Sequence, residues 1–479
     1  MNMRYSLQKE RQYLFSPAAM ISLKLDISGT SDAAEVRRAI KDALKANELM
    51  NTHIVISTDG EAYFETMDEP CCPIEVTDCE WRQALENSER RPFDLAEGEL
   101  ARFYIVRGAP MRLLICAHRL IGDGGTLIRL AGDIMAALSG AHVSQRPIAL
   151  CKPDKLPGSL PISVQLNTRM MNLRWQFAKR AFDFRDLKRL SDMYPVRDAI
   201  LLRRSVNCIG PTVPDVCALS AAALMSVPGG ADYGVVVVNG GDVARMGDYS
   251  SELVIGRKYD DARDVDANAA ALREELDLLC ADPGMLNYNA KYLHALAPTL
   301  IDAAYFAAYD EYGDPIARRL SQMRGLSGSA RRVELHSPSC ALLNSDFDGY
   351  RVDDCTLIPP LSPGARRSVG VARLGNRVTL TLRASGSENQ QAERDALDAV
   401  AAAIALTSKK KSGTCNSGRH YAVKLDLHGY ALRLLNCIIR LRRIRSALSL
   451  YDYINGRRAL LHVEITKLKT SIEIIAAGC

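Results

Sequence analysis

The 479-residue chain has no apolar run long enough to cross a bilayer, which takes about 20 residues. Its first residues, Met1-Asn-Met-Arg-Tyr-Ser-Leu-Gln-Lys-Glu-Arg11, lack the apolar core of a signal peptide. CxxC and HExxH are both absent, so the spacings of a zinc site are missing and no metal is expected. No repeat of solenoid period is present, and no recognised nucleic-acid motif occurs. The 13 cysteines are odd in number and scattered, with Cys71 and Cys72 adjacent. That pattern fits reduced thiols in a cytoplasm better than a disulfide framework.

What is present is a globular composition, 47% apolar and 24% charged, in a chain too long for one core. The formal charge of +5 is unevenly placed. Residues 408–479 carry 14 Lys/Arg against 4 Asp/Glu, so the basic character belongs to the tail and the remaining chain is net acidic.

The first part reads as alternating strands and helices. Residues 18–28 alternate apolar and polar as a half-buried strand does. Ser31 is placed to cap a helix whose apolar face is Ala33, Val36, Ile40, Ala43 and Leu44. Residues 53–57 and 61–66 flank Asp59-Gly60 as a hairpin. Residues 100–106 and 112–117 are two further strands, broken at Gly108-Ala-Pro110. Residues 142–161 are proline-rich and read as a connector. Beyond them come a small-residue helix (216–225), a buried strand (234–239), an acidic helix (265–279), helical sequence to 326, strands within 333–343 and 369–382, and a helix over 389–406. Residues 407–418 (TSKKKSGTCNSG) have a linker's composition.

The chemistry-bearing stretch is Cys116-Ala-His-Arg-Leu-Ile-Gly-Asp-Gly-Gly-Thr126. It follows an apolar run and precedes a helical pattern over 127–138. Gly122, Gly124 and Gly125 permit a tight strand-to-helix turn. His118 alone would ordinarily be a satisfied core histidine.

Several pieces in order give this segment a context. It resembles the HHxxxDG signature of condensation domains and of chloramphenicol-acetyltransferase-like enzymes. Pro92-Phe-Asp-Leu-Ala-Glu-Gly-Glu-Leu-Ala-Arg102 resembles the PFDLxxGPLxR stretch that precedes that signature. The opening through Glu75, with Thr58-Asp-Gly-Glu-Ala-Tyr-Phe64 as its hairpin, is similar to the family's first helix and strands. Asn344-Ser-Asp-Phe-Asp-Gly349 stands where the family has an Asn–Phe–Gly segment, and residues 369–382 resemble its late paired strands. The resemblance covers about residues 1–406.

The resemblance implies an α/β (α+β) fold of two similar mixed-sheet lobes, 1–160 and 161–406, meeting at an inter-lobe channel. It implies acyl transfer from a coenzyme A or carrier-protein thioester to an alcohol or amine acceptor, with no bound cofactor. Any carrier protein would be a separate partner, because no carrier or adenylation domain is visible. The family's aspartate, here Asp123, pairs with an arginine. Arg245 is a candidate partner, although Asn239-Gly-Gly-Asp242 departs from the pattern. Asn239, Arg245 and Asn344 are the channel candidates.

One departure decides how the site is read. The second histidine, the family's catalytic base, is Arg119. A guanidinium keeps its proton to a pKa above about 12 and cannot act as a general base. Three readings stay open. His118 takes over through a bulge, since adjacent strand residues face opposite ways. Alternatively, Arg119 sits in the channel as a cation that polarises a carbonyl or holds an anion. In the third reading the protein is an inactive binding or regulatory relative.

The last sixty residues, 419–479, read as a small basic α+β appendage. Asp426-Leu-His-Gly-Tyr-Ala-Leu-Arg-Leu-Leu-Asn436 resembles the opening of an ACT domain, with His428 where the family usually has proline. That resemblance implies small-ligand sensing with Gly429 at the ligand-facing helix start, and self-association. On charge alone the segment suits an acidic partner or an anionic membrane surface, and nucleic acid is disfavoured.

Overall fold

A computed structural model describes residues 3–413, apart from 30–31, 194–198, 228–233, 240–245, 327–331, 338–342, 363–364 and 386–389. Residues Met1–Thr414 make one compact unit and Cys415–Cys479 a second. The C-terminal reading, Gly429 included, lies outside the described residues.

Two six-stranded mixed sheets organise the first unit. In spatial order the first runs Asp346–Phe347, Tyr350–Ile358, Met20–Ser28, Met111–His118, Ala101–Val106, Ile74–Thr77. The second runs Ser251–Ile255, Gly234–Asn239, Arg332–Ser337, Ala365–Leu374, Arg377–Ser385, Ala199–Asn207. A small sheet of Arg4–Ser6, Ala62–Thr66 and Thr52–Ile56 holds the expected hairpin, with Ile56 opposite Ala62 and Gly60 at φ +86°. Two mixed sheets with helices are the α/β architecture that the sequence implied.

The first core lies between the first sheet and the helices Ala33–Ala46 and Gly124–Leu138. It also takes in later chain: Met171, Trp175 and Phe182, then Leu300 and Phe306, with the Phe182 and Phe306 rings stacked 4.0 Å apart. The second core lies between the second sheet and the helices Val213–Ser226, Val265–Ala281 and Gln390–Gly413.

Strand Tyr350–Ile358 is the main exchange between the halves. It pairs antiparallel with Met20–Ser28, Leu357 opposite Leu23, and lies on the strand pair 365–385 of the second sheet. Gly370 makes that approach close: a Cβ there would meet the Leu357 carbonyl and stand 2.6 Å from Thr381 Oγ1.

The structure corrects several local readings. The helix Ala33–Ala46 is capped by Asp32, whose carboxylate accepts from the Ala34 N–H at 2.8 Å, and not by Ser31. The last helix runs on to Gly413, through part of the stretch whose composition suggested a linker. The strand expected within 333–343 is Arg332–Ser337.

Arg102, the last residue of the PFDLxxGPLxR-like stretch, shows what that stretch does. Its guanidinium is fully buried and donates to Glu99 Oε1 (2.7 Å) and to the carbonyls of Ser88 (2.9 Å), Arg91 (2.6 Å) and Pro92 (2.5 Å). It thereby closes the end of helix Trp81–Arg90 and the 91–99 loop onto strand Ala101–Val106. Breaking a buried, hydrogen-bonded charge costs about 3–5 kcal/mol. Arg102→Leu is therefore expected to lower the thermal midpoint by several degrees, where Arg107→Leu, at an exposed pair with Asp78, leaves it nearly unchanged. Differential scanning fluorimetry distinguishes the two.

Candidate functional site

Strand Met111–His118 ends in the motif. Leu113, Ile115 and Ala117 face the first core, while Leu114 and Cys116 face helix Trp81–Arg90. The alternation puts His118 on the helix side. Its ring packs edge-on to Phe93 at 5.6 Å, and its Nδ1 accepts from the Leu120 N–H at 3.3 Å. It lines a small cavity of about 70 Å³ with Ser88, Phe93 and Leu187. Burial, with Arg102 and Arg119 adding to it, pushes its pKa down to about 3. The imidazole is held neutral on the helix side of the strand.

The chain then turns through the short 3-10 helix Arg119–Ile121, and Arg119 takes the opposite direction. It lines a cavity of about 340 Å³ between the motif and the second sheet. Of the two adjacent candidates, Arg119 faces this large cavity. Its guanidinium carbon stands 4.1 Å from the centre of the Tyr13 ring. Burial alone would lower its pKa, but Asp248, Glu252 and Glu334 outweigh that and keep it above the ordinary arginine value. Its Nε is buried with no hydrogen-bond partner among the described residues.

The turn itself needs glycine at one position. Gly122 has φ +144°, and a Cβ there would lie 2.6 Å from Thr126 Cβ and 2.8 Å from the Gly247 carbonyl. Gly124 and Gly125 are the first residues of helix Gly124–Leu138, and Gly124 packs on Leu357. Asp123 caps that helix, accepting from the Thr126 N–H at 3.1 Å. Thr126 Oγ1 in turn donates to the Gly247 carbonyl at 2.9 Å.

The segment around Gly247 brings in a cluster that the motif did not announce. Asp248 is fully buried, 3.0 Å from Lys9 Nζ, and accepts from Tyr13 OH (3.0 Å) and Ser250 Oγ (2.5 Å). Burial opposes its ionisation, yet Lys9 and Arg119 hold its pKa below the usual value.

The facing wall is the second sheet. Val235, Val237, Leu253, Ile255, Val333 and Leu335 point into the second core. Their neighbours Val236, Val238, Glu252, Val254 and Glu334 line the cavity. Glu334 is buried and holds three partners: Arg332 Nε at 2.8 Å, His336 Nε2 at 3.4 Å and Ser362 Oγ at 2.6 Å. Burial raises its pKa, but the His336 hydrogen bond and Arg332 prevail and hold it down at about 2.

Of the other channel candidates, Asn344 is exposed. Its amide donates to the Asp346 carbonyl at 2.7 Å in a surface turn, and it is not among the residues lining this cavity. Asn239 ends its strand opposite Ser251. Arg245 lies outside the described residues. Among the described residues no cluster suited to a metal ion occurs, and no helix is long and apolar enough to cross a membrane.

The displaced His118 pKa has a consequence for stability. An unfolded histidine protonates near pH 6.5, whereas this one stays neutral down to about pH 3. Between those values the unfolded chain binds the extra proton, so stability falls as pH drops, by up to about 1.4 kcal/mol per pH unit. His118→Gln, which can still accept from Leu120, removes that term. Its thermal midpoint, relative to wild type, should rise between pH 7.5 and pH 4.5. An unchanged difference would show that His118 titrates normally.

No family model matches the chain. Over 135 residues it is 29% identical to the probable non-canonical nonribosomal peptide synthetase CymA of Salinispora arenicola, a match spanning 28% of this chain and 2% of that protein. A mutant starter condensation domain of rhizomide synthetase RzmA, in complex with C8-CoA and Leu-SNAC, superposes with a TM-score of 0.54 at 13% identity, over 85% of this chain and 94% of that one. The first condensation domain of the calcium-dependent antibiotic synthetase, in complex with a substrate analogue, superposes with a TM-score of 0.52 at 13% identity, over 84% and 97%. The chain shares its fold with these condensation domains.

Proposed function

We propose that this protein is a condensation-type acyltransferase that joins an acyl thioester to an amine, with Arg119 binding the oxygen of the reacting carbonyl. The observation that carries the reading is Arg119 itself, a buried cation on the cavity wall. A guanidinium facing a cavity makes charge-assisted hydrogen bonds to an oxygen that carries negative charge. The C8-CoA and Leu-SNAC bound by the RzmA domain support a coenzyme A or carrier-bound donor. A carrier protein and a small-molecule acceptor are the partners that this implies.

In that reaction the amine nitrogen attacks the thioester carbonyl carbon. The C–N bond forms and the carbonyl π pair moves onto oxygen. The oxyanion collapses, the C–S bond breaks, and the proton lost from nitrogen is taken by the departing thiolate. A fixed cation at the oxygen stabilises the charge where it develops, commonly the largest single contribution to such catalysis. A general base contributes about 10²–10⁴-fold. A neutral amine depends on that help less than a hydroxyl, whose proton must be removed for attack. Loss of the family's histidine therefore favours an amine acceptor.

The competing reading is a binding or regulatory protein on the same fold, in which Arg119 only holds an anion. Thioester turnover separates the two. With a panel of acyl thioesters and amines, wild type is expected to turn over. Arg119→Ala should lose about 10²–10³-fold in kcat, and Arg119→Lys should recover part of it. Wild-type protein inert to the whole panel, with turnover appearing in Arg119→His, would overturn the proposal and establish an inactive relative.

A further inference from the structure

Helix Ile162–Trp175 is apolar on two opposite faces. The inner face, with Thr168, Met171 and Trp175, is buried, and three bonds fix it: Trp175 Nε1 donates to Thr299 Oγ1 (3.0 Å), Asn172 Nδ2 to the Ala295 carbonyl (2.8 Å), and the Ala297 N–H to Asn172 Oδ1 (2.9 Å). Those contacts account for the docking of the helix. They leave the outer face without a role in the fold.

That outer face carries Ile162, Leu166, Met170, Leu173 and, one turn into the following chain, Phe177. Their spacings of four, four, three and four residues keep them on one side. They are 76%, 58%, 50%, 45% and 93% exposed. At 1.5 Å per residue the stripe is about 22 Å long. Single exposed apolar residues need no explanation, but a continuous stripe does.

The surroundings select an occupant. Helix 162–175 has two exposed arginines, Arg169 and Arg174, and no acidic residue. Helix Pro315–Arg324, which packs against it, has three arginines and no acidic residue, and it presents exposed Met323 one turn from Arg319. Pairing of this stripe with a second copy would set arginine against arginine. An anionic surface is complemented by the same cations, whose long side chains can reach outward while apolar neighbours go inward.

We propose that this face seats on an anionic lipid bilayer, with Ile162, Leu166, Met170, Leu173 and Phe177 in the acyl boundary and Arg169, Arg174 and Arg319 on the headgroups. The same helix lines the large cavity through Val164 and Asn167, and exposed Val254 and Met323 line it as well. The inference stands on the surface alone and does not depend on the acyl-transfer chemistry.

Fluorescence of the full-length chain tests it. Phe177→Trp places a reporter at the end of the stripe, while Trp81 and Trp175 are buried. With phosphatidylcholine vesicles containing phosphatidylglycerol, the introduced tryptophan should shift to the blue and be quenched by brominated acyl chains. Pure phosphatidylcholine should produce neither change. Adding Leu166→Glu and Leu173→Glu should weaken vesicle partitioning at least about tenfold with an unchanged thermal midpoint, because both sites are exposed. The basic C-terminal segment could hold the chain on anionic lipid by charge alone, so sedimentation without acyl-chain quenching overturns the proposal. So does lipid-free dimerisation that the Leu166→Glu variant abolishes, which would assign the stripe to a second copy.

Discussion

The site depends on the buried ion pair between Lys9 and Asp248. A lysine from the first turn of the chain and an aspartate more than two hundred residues later meet at 3.0 Å with almost no solvent exposure. Neither charge could be buried alone, since an unpaired ion in the interior costs several kcal/mol. The pair is completed by Ser250 and by Tyr13, and the Tyr13 ring is the platform for Arg119. The position of the motif cation is thus set by contacts outside the motif. Thr126 and Gly122 meet Gly247 from the motif side, so the 246–250 segment ties the motif turn to strand Ser251–Ile255 of the second sheet.

Strand alternation then divides the labour between neighbours. His118 and Arg119 are adjacent, yet one faces helix Trp81–Arg90 and the other faces the cavity. His118 is held neutral beside Phe93 and lines the smaller cavity. The large cavity is instead a site of fixed charges: Arg119 on one wall, Glu252 and Glu334 on the other.

The sequence made the motif's strand, turn and helix legible because their signals are local. Asp59-Gly60 marked the hairpin, Gly122 marked the turn, and period-two patterning marked the strands on both sides. Elements whose signal is long-range stayed hidden. Tyr350–Ile358 has Asp353 and Asp354 in its middle, which argues against a sheet strand. Asp354 is tolerated because Lys24 stands 3.0 Å away and Arg203 reaches it from the other sheet. Both partners are remote in sequence. Ser251–Ile255 was too short to show a period, so Glu252 went unnoticed as a cavity residue. Lys9 and Asp248 carry no local pattern at all. The second, outward stripe of helix 162–175 was equally hidden, because apolar residues on two faces cancel any amphipathic signature.

The exchange strand also bears on biosynthesis. Met20–Ser28 receives its partner on one side from Met111–His118 and on the other only from Tyr350–Ile358. At about 5–20 residues per second during synthesis, the chain between them takes on the order of tens of seconds to appear. For that interval Met20–Ser28 is an open edge rich in apolar residues, the kind of edge that other chains can pair with. A nascent chain of this fold therefore has to be shielded early, although the finished protein buries the same strand.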